Sequence, residues 1–157
     1  MNPPVLLVTA GPSREAIDDV RFLSNGSSGR MGIEVARKGV EAGWEVHLAL
    51  GPVEAEIPEG VHHHPFVSAC DLEEVTSRLW PQADALVATA AVCDYRPQER
   101  ISGKKKKEPG DWNLTMVRNP DILLNRSQER DGPMGQRILV GFALEAESDE
   151  EAARRQA

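Results

Sequence analysis

Asp18-Asp19-Val20-Arg21-Phe22-Leu23-Ser24-Asn25-Gly26-Ser27-Ser28-Gly29-Arg30-Met31-Gly32 is the stretch on which the reading of this chain turns. An apolar run, Val5-Leu6-Leu7-Val8-Thr9, precedes it. After it, Gly32, Val35, Ala36, Gly39 and Val40 recur at helical spacing, and Gly43 stands where a helix stops. The order is strand, polar Gly/Ser loop, helix. Such a loop can turn backbone N–H groups at a helix N-terminus toward an anion, and the helix dipole favours the negative charge. Ser27 and Ser28 add hydroxyl donors, and Gly29 and Gly32 permit close approach to the backbone. The spacing is neither G-x-G-x-x-G nor G-x-x-x-x-G-K-[ST]. Two readings stand side by side: a phosphate-binding loop, or a helix capped by Ser28 after a turn.

Outward from this stretch, Val5 to Thr9 reads as a parallel strand buried on both faces. The helix runs from near Gly29 to about Ala42, with Gly32, Ala36 and Gly39 as a narrow face for close packing. Glu45 to Leu50 is the next strand and completes a right-handed βαβ unit. Val61 to Val67 is a third strand, carrying His62, His63 and His64. Ser68-Ala69-Cys70-Asp71 has capping-box spacing and opens a helix through Trp80, with Leu72, Val75 and Leu79 as its apolar face. Ala85 to Val92 is a fourth buried strand and leads to Asp94. Lys104 to Lys107 and Trp112 to Val117 read as two short strands of an exposed hairpin, with Pro109-Gly110 suited to a type II turn. Asn119 caps a helix with Pro120 at its first position. Gln128 to Gly135 is a polar loop, Ile138 to Phe142 a buried strand, and Ser148-Asp149-Glu150-Glu151 caps a last helix to Ala157. The expected fold is one α/β domain over residues 1–157. It has a Rossmann-like, mainly parallel sheet, helices on both faces and a lysine-bearing hairpin flap. Ligands of such sheets sit beyond the carboxyl ends of the strands, near the switch in strand order. The Ser27-Ser28-Gly29 loop and Asp94 both follow strand ends and can share one crevice.

The 157 residues suffice for a single domain, and 40% hydrophobic content supports a core. The 18 basic against 25 acidic residues leave a net charge of −7. That balance argues against a nucleic-acid partner, which calls for a basic field. Two cysteines, Cys70 and Cys93, fall short of a disulfide framework and fit a reducing, cytoplasmic setting. Cys93 reads as a small buried hydrophobe rather than a reactive thiol. The first apolar run is too short for a signal peptide and lacks a basic flank, and no run has the length of a membrane span. In the histidine run, strand alternation sends His63 to the face opposite its neighbours, and no spaced partner motif accompanies it. Metal binding there is set aside.

Three further candidates each carry two readings. Asp94, directly after a strand, can bind ribose hydroxyls or a Mg²⁺ that bridges phosphates, or can satisfy N–H groups of a turn. The run Lys104-Lys105-Lys106-Lys107 is a solvated face, or supplies a cation to an anion-binding crevice. Asn25-Gly26 is a hairpin-turn dipeptide, although no strand-like alternation follows it. The Asn25 amide side chain carries both a donor and an acceptor.

Val8-Thr9-Ala10-Gly11-Pro12-Ser13-Arg14-Glu15, Val20-Arg21-Phe22-Leu23-Ser24-Asn25 and Ser27-Ser28-Gly29-Arg30-Met31-Gly32 resemble the opening of the phosphopantothenoylcysteine synthetase family. Ser13 replaces a usual Thr and Arg30 a usual Lys. Four more segments resemble later family motifs in order. They are Ala90-Ala91-Val92-Cys93-Asp94-Tyr95-Arg96, Lys104 with Lys106 and Lys107, Val117-Arg118-Asn119-Pro120-Asp121-Ile122, and Gly141-Phe142-Ala143-Leu144-Glu145-Ala146-Glu147. Position 93 is usually Ala, position 144 usually Ala and position 146 usually Thr, which leaves the pocket wall less defined.

The resemblance implies a ligase that condenses 4′-phosphopantothenate with L-cysteine through an acyl-nucleotide, with CTP as co-substrate and Mg²⁺ to neutralise the triphosphate. It implies that Ser27, Ser28, Gly29, Ala88, Thr89, Ala90, Asp94, Lys104, Pro120, Asp121, Ile122, Leu123 and Phe142 hold the nucleotide. By the same likeness Asn25, Lys104 and Arg21 serve the chemistry, and Asp94 is the candidate metal ligand. It implies a homodimer built around Arg21 to Asn25, where Phe22 and Leu23 are apolar within a polar loop. It also implies a chain truncated at its carboxyl end, since family members continue with a further lysine-bearing segment. Two other readings compete: a catalytically silent nucleotide-binding fragment, and a dinucleotide-dependent oxidoreductase, which the missing G-x-G-x-x-G disfavours.

Overall fold

The structure is a computed structural model and describes residues 2–129, 131–132 and 135–143. In chain order the elements begin β1 (Val5–Ala10), β2 (Arg14–Ala16), β3 (Phe22–Ser24), α1 (Arg30–Glu41), β4 (Glu45–Leu50) and β5 (Val61–Pro65). Next come α2 (Ala69–Leu79), a 3-10 turn (Trp80–Gln82), β6 (Ala85–Ala88), β7 (Tyr95–Pro97) and β8 (Met116–Arg118). The chain then forms α3 (Ile122–Ser127), β9 (Asp131–Gly132), β10 (Gly135–Gln136) and β11 (Ile138–Gly141). The helix expected from Ser148 to Ala157 lies outside the described residues.

Strands β11, β6, β1, β4 and β5 form one sheet in that order, every pair parallel. From central β1 the chain moves out to β4 and β5, then returns to β6 and β11 on the other side. The order therefore switches between β1 and β6. Helix α1 covers one face, where Ile33 and Ala36 meet Leu6, Val8, Val46 and Leu48. On the other face Leu79 and Trp80 pack on Leu7 and Leu86, while Leu72 and Ile122 pack on Ala49 and Phe66. This is the expected α/β sheet with helices on both sides.

Glycine explains how closely α1 lies. A Cβ added at Gly32 would stand 2.5 Å from the Ala10 Cβ and nearer still to the Thr89 hydroxyl, so only glycine admits this approach. The entry to α1 departs from the Ser28 cap. Gly29 is the N-cap, with φ of 70° and no side-chain cap bond, and Ser27 Oγ accepts the Gly29 N–H at 3.3 Å. A left-handed turn makes the entry, so no hydroxyl is carried to the first N–H groups of the helix. Helix α2 has the expected capping box: Ser68 Oγ accepts the Asp71 N–H at 3.1 Å, and Asp71 Oδ2 accepts the Ser68 N–H at 2.7 Å.

Four local expectations are corrected. The stretch read as a polar loop contains an antiparallel hairpin, β2 with β3, pairing Arg14 with Ser24 and Ala16 with Phe22. Strands of three residues are too short to show alternation, and Asn25-Gly26 lies after the hairpin, not at its turn. The lysine hairpin pairs at its base, β7 with β8, with Tyr95 opposite Arg118 and Pro97 opposite Met116. Lys104 to Lys107 belong to the long loop between these strands, since adjacent like charges gain nothing from strand pairing. Asp121, not Asn119, caps α3, its Oδ1 accepting the Leu124 N–H at 2.9 Å. The segment read as a polar loop from Gln128 to Gly135 also contributes to a small hairpin, β9 with β10.

Candidate active site

Beyond the carboxyl ends of β1, β6 and β11 lies a cavity of about 600 Å³. It opens at the switch in strand order, where such sheets place their ligands. Thr9, Ala88 and Gly141 come from the strand ends. The segment from Ala90 to Tyr95 makes one wall, the segment from Arg118 to Leu123 another, and Phe142 lies at the margin.

Hydrogen bonds hold the first wall from two sides. The Ala91 carbonyl accepts the Ser13 N–H and the Asn25 side-chain amide, each at 3.1 Å. The Cys93 N–H donates to Ser13 Oγ at 3.0 Å. Asn119 ties the two walls together: Nδ2 donates to the Cys93 carbonyl at 2.7 Å, and the backbone N–H donates to the Asp94 carbonyl at 2.8 Å. Arg96 in turn donates to Asn119 Oδ1 at 3.0 Å and to the Arg118 carbonyl at 2.6 Å. Asn119 thus positions the pocket wall, where the sequence reading makes it a helix cap. Cys93 is half-buried and lines the cavity rather than disappearing into the core.

Ala88, Ala90, Asp94, Pro120, Asp121, Ile122, Leu123 and Phe142 all line this cavity. Thr89 lies beside them but turns away, its hydroxyl donating to the Thr9 carbonyl at 2.7 Å. Ser27, Ser28 and Gly29 do not line it. They form the α1 entry, where a Cβ added at Gly29 would meet the Gly11 backbone and the Leu50 side chain. Asn25 links the two regions through the Ala91 carbonyl.

Arg21 and Lys104 border a second cavity of about 610 Å³, formed with Lys105 to Lys107 and Trp112. Arg21 is not a free cation. It pairs with the buried Asp18 carboxylate, donating from Nε at 3.0 Å and also from Nη2. The guanidinium further donates to the Lys105 carbonyl at 3.0 Å and lies 5.3 Å from the centre of the Trp112 ring. Asp18 also accepts the N–H groups of Val20, Arg21 and Lys105 at 2.9, 2.7 and 3.1 Å. The Arg21 bond above all, followed by these backbone donors, holds its carboxyl well below the ordinary 3.8, against the opposing effect of burial. The pair anchors the lysine loop to the β2–β3 turn. Among the described residues the cation that lines the first cavity is Arg118. The available signal for Arg118 is a basic residue directly before Asn119-Pro120; for Asp18 it is an acid three residues before an arginine.

Comparison with known proteins joins these motifs. Residues 2–157 match the family model described as the DNA/pantothenate metabolism flavoprotein C-terminal domain. The chain is 38% identical over 151 residues to the coenzyme A biosynthesis bifunctional protein CoaBC of Bacillus subtilis, covering 96% of this chain and 36% of that protein. The chain therefore spans about a third of that curated relative. The solved C-terminal domain of a CoaBC protein superposes with a TM-score of 0.83 at 35% identity, over 99% of this chain and 72% of that one. A Cab2 mutant solved with phosphopantothenate-cysteine shares the fold, with a TM-score of 0.72 at 17% identity over 94% of this chain and 66% of that one. Among the described residues no helix is long and apolar enough to cross a membrane. From the strand-loop-helix opening to the strand at Gly141, the motifs, the sheet order and these matches agree, and the chain belongs to the DNA/pantothenate metabolism flavoprotein C-terminal domain family.

Proposed function

We propose that the chain carries the phosphopantothenate–cysteine ligase activity of coenzyme A biosynthesis, with CTP as the activating co-substrate. The observation that carries this reading is the convergence of three distant segments, Ala88 to Asp94, Pro120 to Leu123 and Phe142, on one cavity at the switch point. Membership of a family whose curated relative is named for coenzyme A biosynthesis supports it.

In this reading the phosphopantothenate carboxylate attacks the α-phosphorus of CTP and pyrophosphate leaves. The cysteine amine then attacks the acyl carbon, and CMP leaves as the amide forms. The base packs against Phe142 and the apolar wall of Ile122 and Leu123, while Asp94 faces the ribose or a metal. Arg118 supplies positive charge inside the cavity. Asn25 is outside the cavity's lining and holds the wall through one amide N–H on the Ala91 carbonyl; its second amide N–H, without a partner among the described residues, would serve the acyl oxygen. Lys104 borders the second cavity, on the anchored loop, and its role at the triphosphate rests on the family likeness. Mg²⁺ fits the donor chemistry at Asp94, an exposed carboxylate on the cavity with no cation paired to it among the described residues. When bound there, the ion would neutralise phosphate charge.

The test is thermal protection by CTP, ATP and NAD in parallel with Mg²⁺ present, followed by pyrophosphate release with both substrates. A ligand that binds only the native state raises its stability by mass action. CTP should protect most and turnover should follow. Protection by CTP without turnover would identify a silent nucleotide-binding domain, and strongest protection by NAD would overturn the ligase reading.

A further inference from the structure

At the opposite end of the sheet, Glu45 and His47 of β4 stand beside His62 and His64 of β5. The parallel register pairs His47 with His62 and Ala49 with His64. Alternation along each strand then puts Glu45, His47, His62 and His64 on one face and His63 on the other. Glu45 Oε1 lies 3.4 Å from His47 Nε2 and 3.7 Å from His62 Nε2. One donor atom from each of these three residues falls within 4.8 Å of the other two. Donor atoms around tetrahedral zinc, with bonds of about 2.0–2.1 Å, stand roughly 3.3 Å apart. Binding requires His62 to rotate out of its near-parallel stack on His47, so that both ring planes meet the ion, and Glu45 to close in. His62 and Glu45 are free to make these movements, with side chains 59% and 42% exposed, whereas His47, at 18%, is held.

His47 is held by its other nitrogen. Its Nδ1 is hydrogen-bonded to His64 Nε2 at 2.9 Å, and its ring stacks on both His62 and His64, with centroids 4.8 and 5.1 Å away. A metal-binding histidine is ordinarily oriented in this way, by a partner on the nitrogen that does not touch the metal. With Nδ1–H donating to His64, Nε2 turns a lone pair toward the Glu45 carboxylate, an arrangement that a cation between them stabilises. In the other tautomer His64 donates to His47, which donates to Glu45. A metal then enters by displacing the Nε2 proton.

We propose that Glu45, His47 and His62 form a site for a divalent transition-metal ion, with Zn²⁺ the best-matched, in which His64 orients His47 and solvent completes the coordination. Two imidazoles and one carboxylate, without thiolate, are a donor set that zinc accepts with an open position. The positive charge of Arg78 on α2 acts on His64, and the carboxylate of Glu45 lies at the other end of the cluster, which the ion takes. Bound there, it ties edge strand β5 to β4. The cavity lies at the carboxyl ends of the strands, whereas Glu45 is the first residue of β4 and His62 the second of β5.

The experiment is calorimetric titration of untagged protein with ZnCl₂ in the absence of nucleotide, with melting curves recorded with and without zinc. The parent should bind one Zn²⁺ per chain at micromolar concentration and melt higher with it. His62→Ala and Glu45→Gln, at exposed positions, should each weaken binding at least tenfold while melting as the parent does without metal. His63→Ala, on the other face, should bind as the parent. Absence of micromolar binding in the parent overturns the proposal. So does parent-like binding by the His62 and Glu45 variants, or an equal loss in His63→Ala, which would mean that the histidine run binds without the β4 residues.

Discussion

Asp18 shows how much one residue organises. Its carboxylate is buried, and it joins the β2–β3 turn to the lysine loop through Arg21 and the Lys105 N–H. Because its folded pKa is depressed, its contribution to stability is complete above the ordinary carboxylate pKa and is lost as pH falls below about 4. Asp18→Asn removes the charge that Arg21 faces and the gain that ionisation brings. The variant should be less stable than the parent at pH 7, and its urea midpoint should fall less steeply between about pH 4 and pH 2. Parallel pH profiles for the two proteins would show that Asp18 is no acid-sensitive anchor.

At the scale of the element, α1 is fitted to the sheet by what its glycines lack. Alanine favours a helix interior over glycine by about 1 kcal/mol, so propensity alone makes Gly32→Ala stabilising. Packing argues the opposite, since the new methyl would meet Ala10 and Thr89 inside van der Waals distance. Overpacking of a close interface costs about 1–3 kcal/mol and should win. Denaturant unfolding should show a net loss for Gly32→Ala. A gain would mean that α1 is free to lift from β1. The cost should also reach the cavity, because Thr89 is continuous with the Ala90–Asp94 wall.

For the molecule as a whole, the exposed apolar residues make the expected homodimer testable. Val20, Phe22 and Leu23 of the β2–β3 hairpin are 60%, 47% and 37% exposed, and Trp112 of the lysine loop is 43% exposed. Exposed apolar residues within a short hairpin are candidates for an interaction surface. We expect a homodimer formed through this hairpin, with a dimer mass by light scattering at micromolar concentration. Phe22→Asp and Leu23→Asp should reduce it to the monomer. A monomer mass for the parent would remove the hairpin as an assembly surface.

Local chemistry was largely legible in the sequence. The apolar cores of β1 and β4, the Ser68–Asp71 capping box, the small-residue face of α1 and the order of the sheet strands along the chain all depend on close neighbours, whereas β11, expected to be buried, is an edge strand that is mostly exposed. Periodicity and turn residues report close neighbours directly. The segments around Asp94, Asn119 and Phe142 were legible too, as motifs. Contacts between distant segments were decided by tertiary structure. Asn119 became a clasp between pocket walls because β7 and β8 bring residues 93 and 119 together. Arg21 met the Lys105 carbonyl and Trp112 because the long lysine loop folds back on the hairpin, whereas its pair with Asp18 is local. The histidine run gained partners only when parallel pairing set β5 beside β4, for register between strands is written in the packing of their faces and not in either strand alone.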